Sequence, residues 1–206
     1  MHVVHHYFDY KSPYAYLAQQ VNWELAALPN VEMYWVPYTL QIQKYLGCAE
    51  LGDDGVDQVG ERNDHQWRRV RYSYMDCRRE ANKRGLTILG PRRIFNSSLS
   101  HIAFLYVLRT GDHRRFHDAI FERFWNRSFN LESYEALTDL MNELGYDAEN
   151  FLSFSKGIGL SDYEAKQTEA EKMGTFGVPS WQHNGQLYWG MERLNLLKEA
   201  LDEPTS

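Results

Sequence analysis

Ser12 and Pro13 interrupt the stretch YFDYKSPYAYLA, residues 7 to 18, where a short apolar run gives way to helical residues. Two chemistries suit a serine there. Its side-chain oxygen can cap the helix, with Pro13 at the first helical position, where a missing N–H costs nothing. A hydroxyl at a helix start just past a strand can also hold an anion such as a thiolate, beside the unpaired N–H groups of the first turn. Rival nucleophiles are few. Only Cys48 and Cys77 carry thiols, spaced neither as a C-x-x-C motif nor as metal ligands, so both are expected to be free. His2, His5 and His6 crowd one segment, but adjacent strand residues face opposite sides and no carboxylate or cysteine completes a set, so no metal is expected. His101, His113 and His117 fall on helical segments, where structural roles are the default and a substrate contact is open to one of them.

The elements that must position Ser12 are clearest at the two ends of the chain. Residues 2 to 8 read as a strand, and residues 13 to 28 as a helix with Leu17, Val21 and Leu25 on one face, stopped by Pro29-Asn30. Residues 31 to 36 alternate as a second strand, and a helix of that length makes a right-handed parallel crossover the natural connection. Residues 47 to 64, rich in Gly and acids, lack periodicity and mark a flexible loop, a candidate lid. Helical patterns then follow over about 65–84, 97–109, 113–125, 132–144, 147–155 and 160–173. Ser180 to His183 and Gln186 to Trp189 flank Asn184-Gly185, a strong hairpin signal, before a last helix carrying Leu194, Leu197 and Leu201. The expected architecture is a split α/β domain, residues 1–60 plus 174–206, with residues 61–173 as an all-helical insertion.

Bulk properties narrow the function. The chain of 206 residues is 43% hydrophobic, enough to bury a core, and its net charge of -6 argues against a sequence-independent nucleic-acid binder. The basic runs Arg68-Arg69-Val70-Arg71 and Gly90-Pro91-Arg92-Arg93 read as solvated helix faces or loop edges. No segment has the length and apolarity of a signal peptide core or a membrane span, so a cytoplasmic protein without membrane partners is expected.

The order strand, helix, strand, helical insertion, Val-Pro, hairpin and helix resembles a thioredoxin-like domain of the DsbA type. FDYKSPYAYLA resembles the opening motif of the 2-hydroxychromene-2-carboxylate isomerases and kappa-class glutathione transferases, and GTFGVPSWQHNGQLYWGMERLNLLKEAL resembles their closing motif. Disulfide oxidoreductases of this superfamily carry Cys-x-x-Cys where this chain has Ser12-Pro13-Tyr14-Ala15. The resemblance therefore implies a borrowed sulfur: Ser12 would donate to the thiolate of bound glutathione, stabilising a nucleophile rather than being one.

The same resemblance implies that Val178 and Pro179 form a cis step whose backbone pairs with the cysteinyl part of glutathione. From pattern alone, Pro179 could equally start an edge strand. Glu192 matches the acid that receives the γ-glutamyl amine, and Arg71 matches a lysine directed at a glutathione carboxylate. In the isomerases the thiolate adds to a conjugated aromatic ketoacid, permits rotation and leaves. Tyr10, Tyr14, Trp125 and Trp189 are the candidates for the aromatic cleft that such a small electrophilic substrate needs. Family precedent also suggests a homodimer. The alternative is a catalytically silent thioredoxin-fold module that holds an extended peptide in the cis-proline groove.

Overall fold

The computed structural model describes residues 1–202. Four strands form one mixed sheet in the order β2-β1-β3-β4: β1 His2–Phe8, β2 Val31–Pro37, β3 Ser180–His183 and β4 Gln186–Trp189. β1 pairs in parallel with β2, His2 opposite Val31, and antiparallel with β3, His6 opposite Trp181. The β3–β4 turn is Asn184-Gly185, both at positive φ (47° and 75°), the geometry that two-residue hairpins require.

Residues 13 to 28 are two helices instead of one: α1 Pro13–Leu17 and α2 Gln19–Ala26, joined at Ala18. The cause is a side chain from far along the sequence. Arg84 donates to the Leu17 carbonyl at 2.7 Å, taking an acceptor that an unbroken helix would use four residues on. The Ala18 N–H is then shared between the Tyr14 and Ala15 carbonyls.

After β2 come α3 Gln43–Leu46, α4 Asp64–Lys83, α5 Ser98–Leu108, α6 Arg114–Trp125, α7 Tyr134–Glu143, α8 Phe151–Lys156 and α9 Ile158–Lys172. A 3-10 turn, Met191–Arg193, leads into α10 Leu194–Asp202. α4 starts at a full capping box, with Asn63 and Gln66 bonding each other's backbone.

The helical segment shares its interior with the sheet. One continuous cluster runs from Tyr7 and Phe8 of β1 through Phe121 of α6 to Phe151 of α8. A smaller one packs Val4, Leu25, Val31 and Trp181 against Leu194, Leu197 and Leu201 of α10. Between them a buried polar chain ties three elements: Trp181 Nε1 donates to Asn22 Oδ1 (2.9 Å), and the Asn22 amide lies 2.9 Å from His6 Nε2. His6 Nδ1 reaches the Ser180 carbonyl at 3.3 Å. Burial drives the His6 pKa down from 6.5 to about 3, so the ring is neutral and can accept from Asn22. Among the described residues no helix is long and apolar enough to cross a membrane, and no group of His, Cys, Asp and Glu has metal-binding geometry.

Candidate functional site

Ser12 is buried at the base of a cleft of about 1220 Å³ that runs between the α1 N-terminus and α4. Its Oγ accepts from the Ala15 N–H at 3.2 Å, the N-cap interaction. The same hydroxyl donates to the Val178 carbonyl at 3.4 Å, a long bond that is weak by ordinary geometry. The Val178–Pro179 peptide is cis, and among the described residues the Val178 N–H has no partner. Pro179 is buried behind Val178, outside the cleft lining, and its carbonyl accepts from Gly190 N–H at 2.9 Å.

One residue before Ser12, Lys11 is almost wholly buried and paired with the fully buried Asp9 at 3.2 Å. Asp9 also accepts from the Ser97 hydroxyl (2.6 Å), the Leu40 N–H (2.8 Å) and the Lys11 N–H (3.1 Å), with His101 Nε2 at 3.4 Å. Burial alone would raise the Asp9 pKa, but Lys11, His101 and Ser97 together hold it below the usual carboxylate range. The result is a rigid ionic plug that fixes the turn carrying Ser12: the Ser12 N–H itself donates to the Asp9 carbonyl at 2.9 Å.

Of the aromatic candidates, Tyr14 and Trp189 line the cleft. The Tyr14 hydroxyl donates to Asp76 of α4 at 3.0 Å, which pins α1 to the opposite wall. Trp189 is 49% exposed at the rim, edge-on to Phe176 at 4.8 Å, and rests on Gly177, where a Cβ would come within 2.6 Å of its Nε1.

Tyr10 and Trp125 are not cleft residues: both are fully buried. The turn after β1 directs Tyr10 among Phe8, His101 and Phe121, with its hydroxyl 2.9 Å from His117 Nδ1. Trp125 closes the inward face of α6 behind Tyr74. Glu192 also stands off the cleft: it is exposed, and its carboxylate folds back over Gly190, where a Cβ would meet it at 2.5 Å. Arg71 does line the cleft. His101, His113 and His117 do not, nor do Cys48 and Cys77. Burial pushes the Cys77 thiol up to about 11.

The feature that sequence reasoning missed is the cationic wall. Among the described residues, eight arginines and Lys11 line the cleft and no Asp or Glu does. Arg69, Arg71, Arg92 and Arg93 of the two basic runs contribute to it; Arg69, Arg71 and Arg92 are also exposed, as solvated faces and loop edges are, and Arg68 lies off the cleft. A signal was present: Trp67, Arg71, Tyr74 and Arg78 recur at i, i+4, i+7 and i+11, one face of α4. The segment 47–64 supplies part of a side wall through Ala49, Leu51 and Arg62, and is tied in by backbone bridges from Glu50 to Arg93 and from Leu51 to Asp57.

A family model described as DSBA-like thioredoxin domain matches residues 3–202. The chain is 27% identical over 202 residues to a 2-hydroxychromene-2-carboxylate isomerase of Pseudomonas putida, covering 97% of this chain and 94% of the relative. It is 25% identical to the protein of that name from Sphingobium xenophagum, covering 95% of each. A solved structure of 2-hydroxychromene-2-carboxylate isomerase superposes with a TM-score of 0.75 at 24% identity, over 97% of this chain and 94% of that one. Its sheet order, inserted helices and family match agree: the chain belongs to the DSBA-like thioredoxin domain family.

Proposed function

We propose that this protein is a glutathione-dependent isomerase, similar in chemistry to the 2-hydroxychromene-2-carboxylate isomerases, with Ser12 as the residue that holds the glutathione sulfur. The observation that carries the reading is the Ser12 hydroxyl itself. It sits at the cleft base on a weak 3.4 Å bond, and no thiol of the chain lines the cleft. Bound glutathione would supply a thiolate able to add reversibly across a conjugated double bond and leave after rotation.

Each chain residue then has a definable task. Ser12 can turn its proton from the Val178 carbonyl to a sulfur anion at small cost, since the bond it gives up is long. That turn would free the Val178 carbonyl, so that Val178 offers both an N–H and a C=O to an extended ligand backbone. The first-turn N–H groups of α1 favour negative charge at the same point; α1 is one short turn, so local donors carry the effect more than a macrodipole does. Arg71 offers a guanidinium to a glutathione carboxylate. Tyr14 and Trp189 flank the space left for an aromatic, electrophilic co-substrate.

The test is calorimetric titration of glutathione into wild type and Ser12→Ala in buffers of different ionisation enthalpy, which counts protons released. Binding to wild type with proton release near neutral pH, reduced in Ser12→Ala, is the expected result. Absence of binding at millimolar glutathione would return Ser12 to a helix cap and favour the peptide-binding module.

A further inference from the structure

We propose that the α4 wall of the cleft is a second anion subsite, built for a planar aromatic co-substrate that carries two or more negative charges. The inference rests on the glutathione reading only for the ligand's role as co-substrate; the charge preference stands on its own geometry.

Among the described residues, nine cations and no carboxylate line one cleft of a chain whose net charge is -6. Four of the nine have acidic partners just outside the lining: Lys11 with Asp9, Arg79 with Asp76 at 3.8 Å, Arg92 with Asp53, and Arg93 with Glu132 through two bonds. Five have none among the described residues: Arg62, Arg69, Arg71, Arg78 and Arg127. Glutathione bound as a thiolate has two carboxylates and the sulfur against one ammonium, and so neutralises about two of those five. About three of the five then stay unmatched: a monocarboxylate co-substrate would leave two of them, a dianion one and a trianion none.

Three of the five are held in place by neutral groups. Arg62 Nε donates to the carbonyls of Leu46 (3.0 Å) and Gly47 (3.3 Å), with its guanidinium 4.9 Å from the Trp67 ring centre. Arg78 Nε donates to Ile88 O at 3.0 Å, 5.4 Å from the Tyr74 ring. Arg127 Nε donates to Gly90 O at 2.8 Å from a residue whose own φ is 59°, a left-handed conformation that is unfavourable for a side chain of this size. A carbonyl fixes each fork, with a ring beside it for Arg62 and Arg78, while the charge has no acidic partner among the described residues, which is how a guanidinium is pre-set for a planar oxyanion. Leu40, Ile42, Leu51 and Phe95 complete the lining with apolar surface. A flat apolar body with acidic groups at its edge matches both surfaces.

The probes are benzoate, isophthalate and trimesate, one ring with one, two and three carboxylates. Their binding to the full chain is followed by tryptophan fluorescence, since Trp67 and Trp189 line the cleft. At low salt isophthalate should bind about tenfold more tightly than benzoate, and the ratio should shrink as salt rises. Arg78→Gln and Arg127→Asn should each cut the ratio several-fold, with glutathione affinity within about twofold of wild type; Asn tolerates the left-handed backbone at position 127. Equal affinities for the three acids in wild type overturn the proposal, and this comparison needs no variant to fold. A ratio untouched by both folded variants overturns it also. An intact ratio in a protein that fails to bind glutathione removes the glutathione reading and keeps the subsite, whereas glutathione binding with a ratio of one does the reverse.

Discussion

The Ser12 hydroxyl and the Val178 carbonyl face each other across 3.4 Å, from segments 166 residues apart in the chain. The serine therefore has two separable contacts, because its oxygen caps α1 while its proton goes to the Val178 carbonyl at the cleft lining. Ser12→Ala should cost about 1 kcal/mol of stability through the lost cap. Ser12→Asp should restore that stability, since aspartate caps equally well, yet bind glutathione worse than Ser12→Ala because a carboxylate repels a thiolate. Thermal melts and calorimetry on both variants check this; equal glutathione affinity in all three proteins would leave only the cap.

Lys11→Met should destabilise the fold by about 3 kcal/mol at neutral pH, as it leaves the Asp9 carboxylate buried without its ammonium. The sign with pH follows from Asp9. Its folded pKa lies below its ordinary value of 3.8, so its contribution is present above that value and is lost as pH falls through the folded one. Without Lys11 the folded pKa rises toward 3.8, so this acid-side loss should shrink. Denaturant titrations over a pH series measure it, and Asp9→Asn combined with Lys11→Met should recover part of the stability.

His6 sets a second, milder pH dependence. Its pKa falls from 6.5 unfolded to about 3 in the buried Trp181–Asn22 chain, so the unfolded state binds the extra proton between those values. Stability is then full above pH 6.5 and declines below it, at about 1.4 kcal/mol per pH unit for this one group. His117 and His101, also lowered by burial, add in the same direction. His6→Gln should reduce the slope of stability against pH between 4 and 6; an unchanged slope would show that His6 does not titrate on unfolding.

Gly177→Ala should displace Trp189, whose Nε1 lies 2.6 Å from where the new Cβ would stand. Because Trp189 is at the rim, the ring can swing outward and stability should change by less than about 1 kcal/mol. Its fluorescence should shift to the red, and cleft ligands should bind several-fold more weakly. An unshifted spectrum would mean that the ring does not pack there.

What could be read from the sequence was whatever short-range chemistry decides. The hairpin at Asn184-Gly185 and the cap at Ser12 need only neighbouring residues, and both are where the pattern puts them. The break at Ala18 could not be read, because its cause is Arg84, 67 residues beyond the carbonyl it takes. Tyr10 and Trp125 failed as cleft residues for a related reason: an aromatic has the same signature in a core as in a pocket, and only the packing of α5 and α6 against β1 decides which. The arginines were visible as runs, but counting them as runs hid the helix face on which Arg71 and Arg78 share one side with Trp67 and Tyr74.

Arg84 stands just past α4, the helix that carries much of the cation wall, and its other end grips the peptide of Leu17, five residues beyond Ser12. Tyr14 and Asp76 make a second strut between the same two helices. The two ties brace α1 against α4 from both ends, so the turn that carries the serine and the helix that carries much of the cation wall form one framework rather than two independent walls.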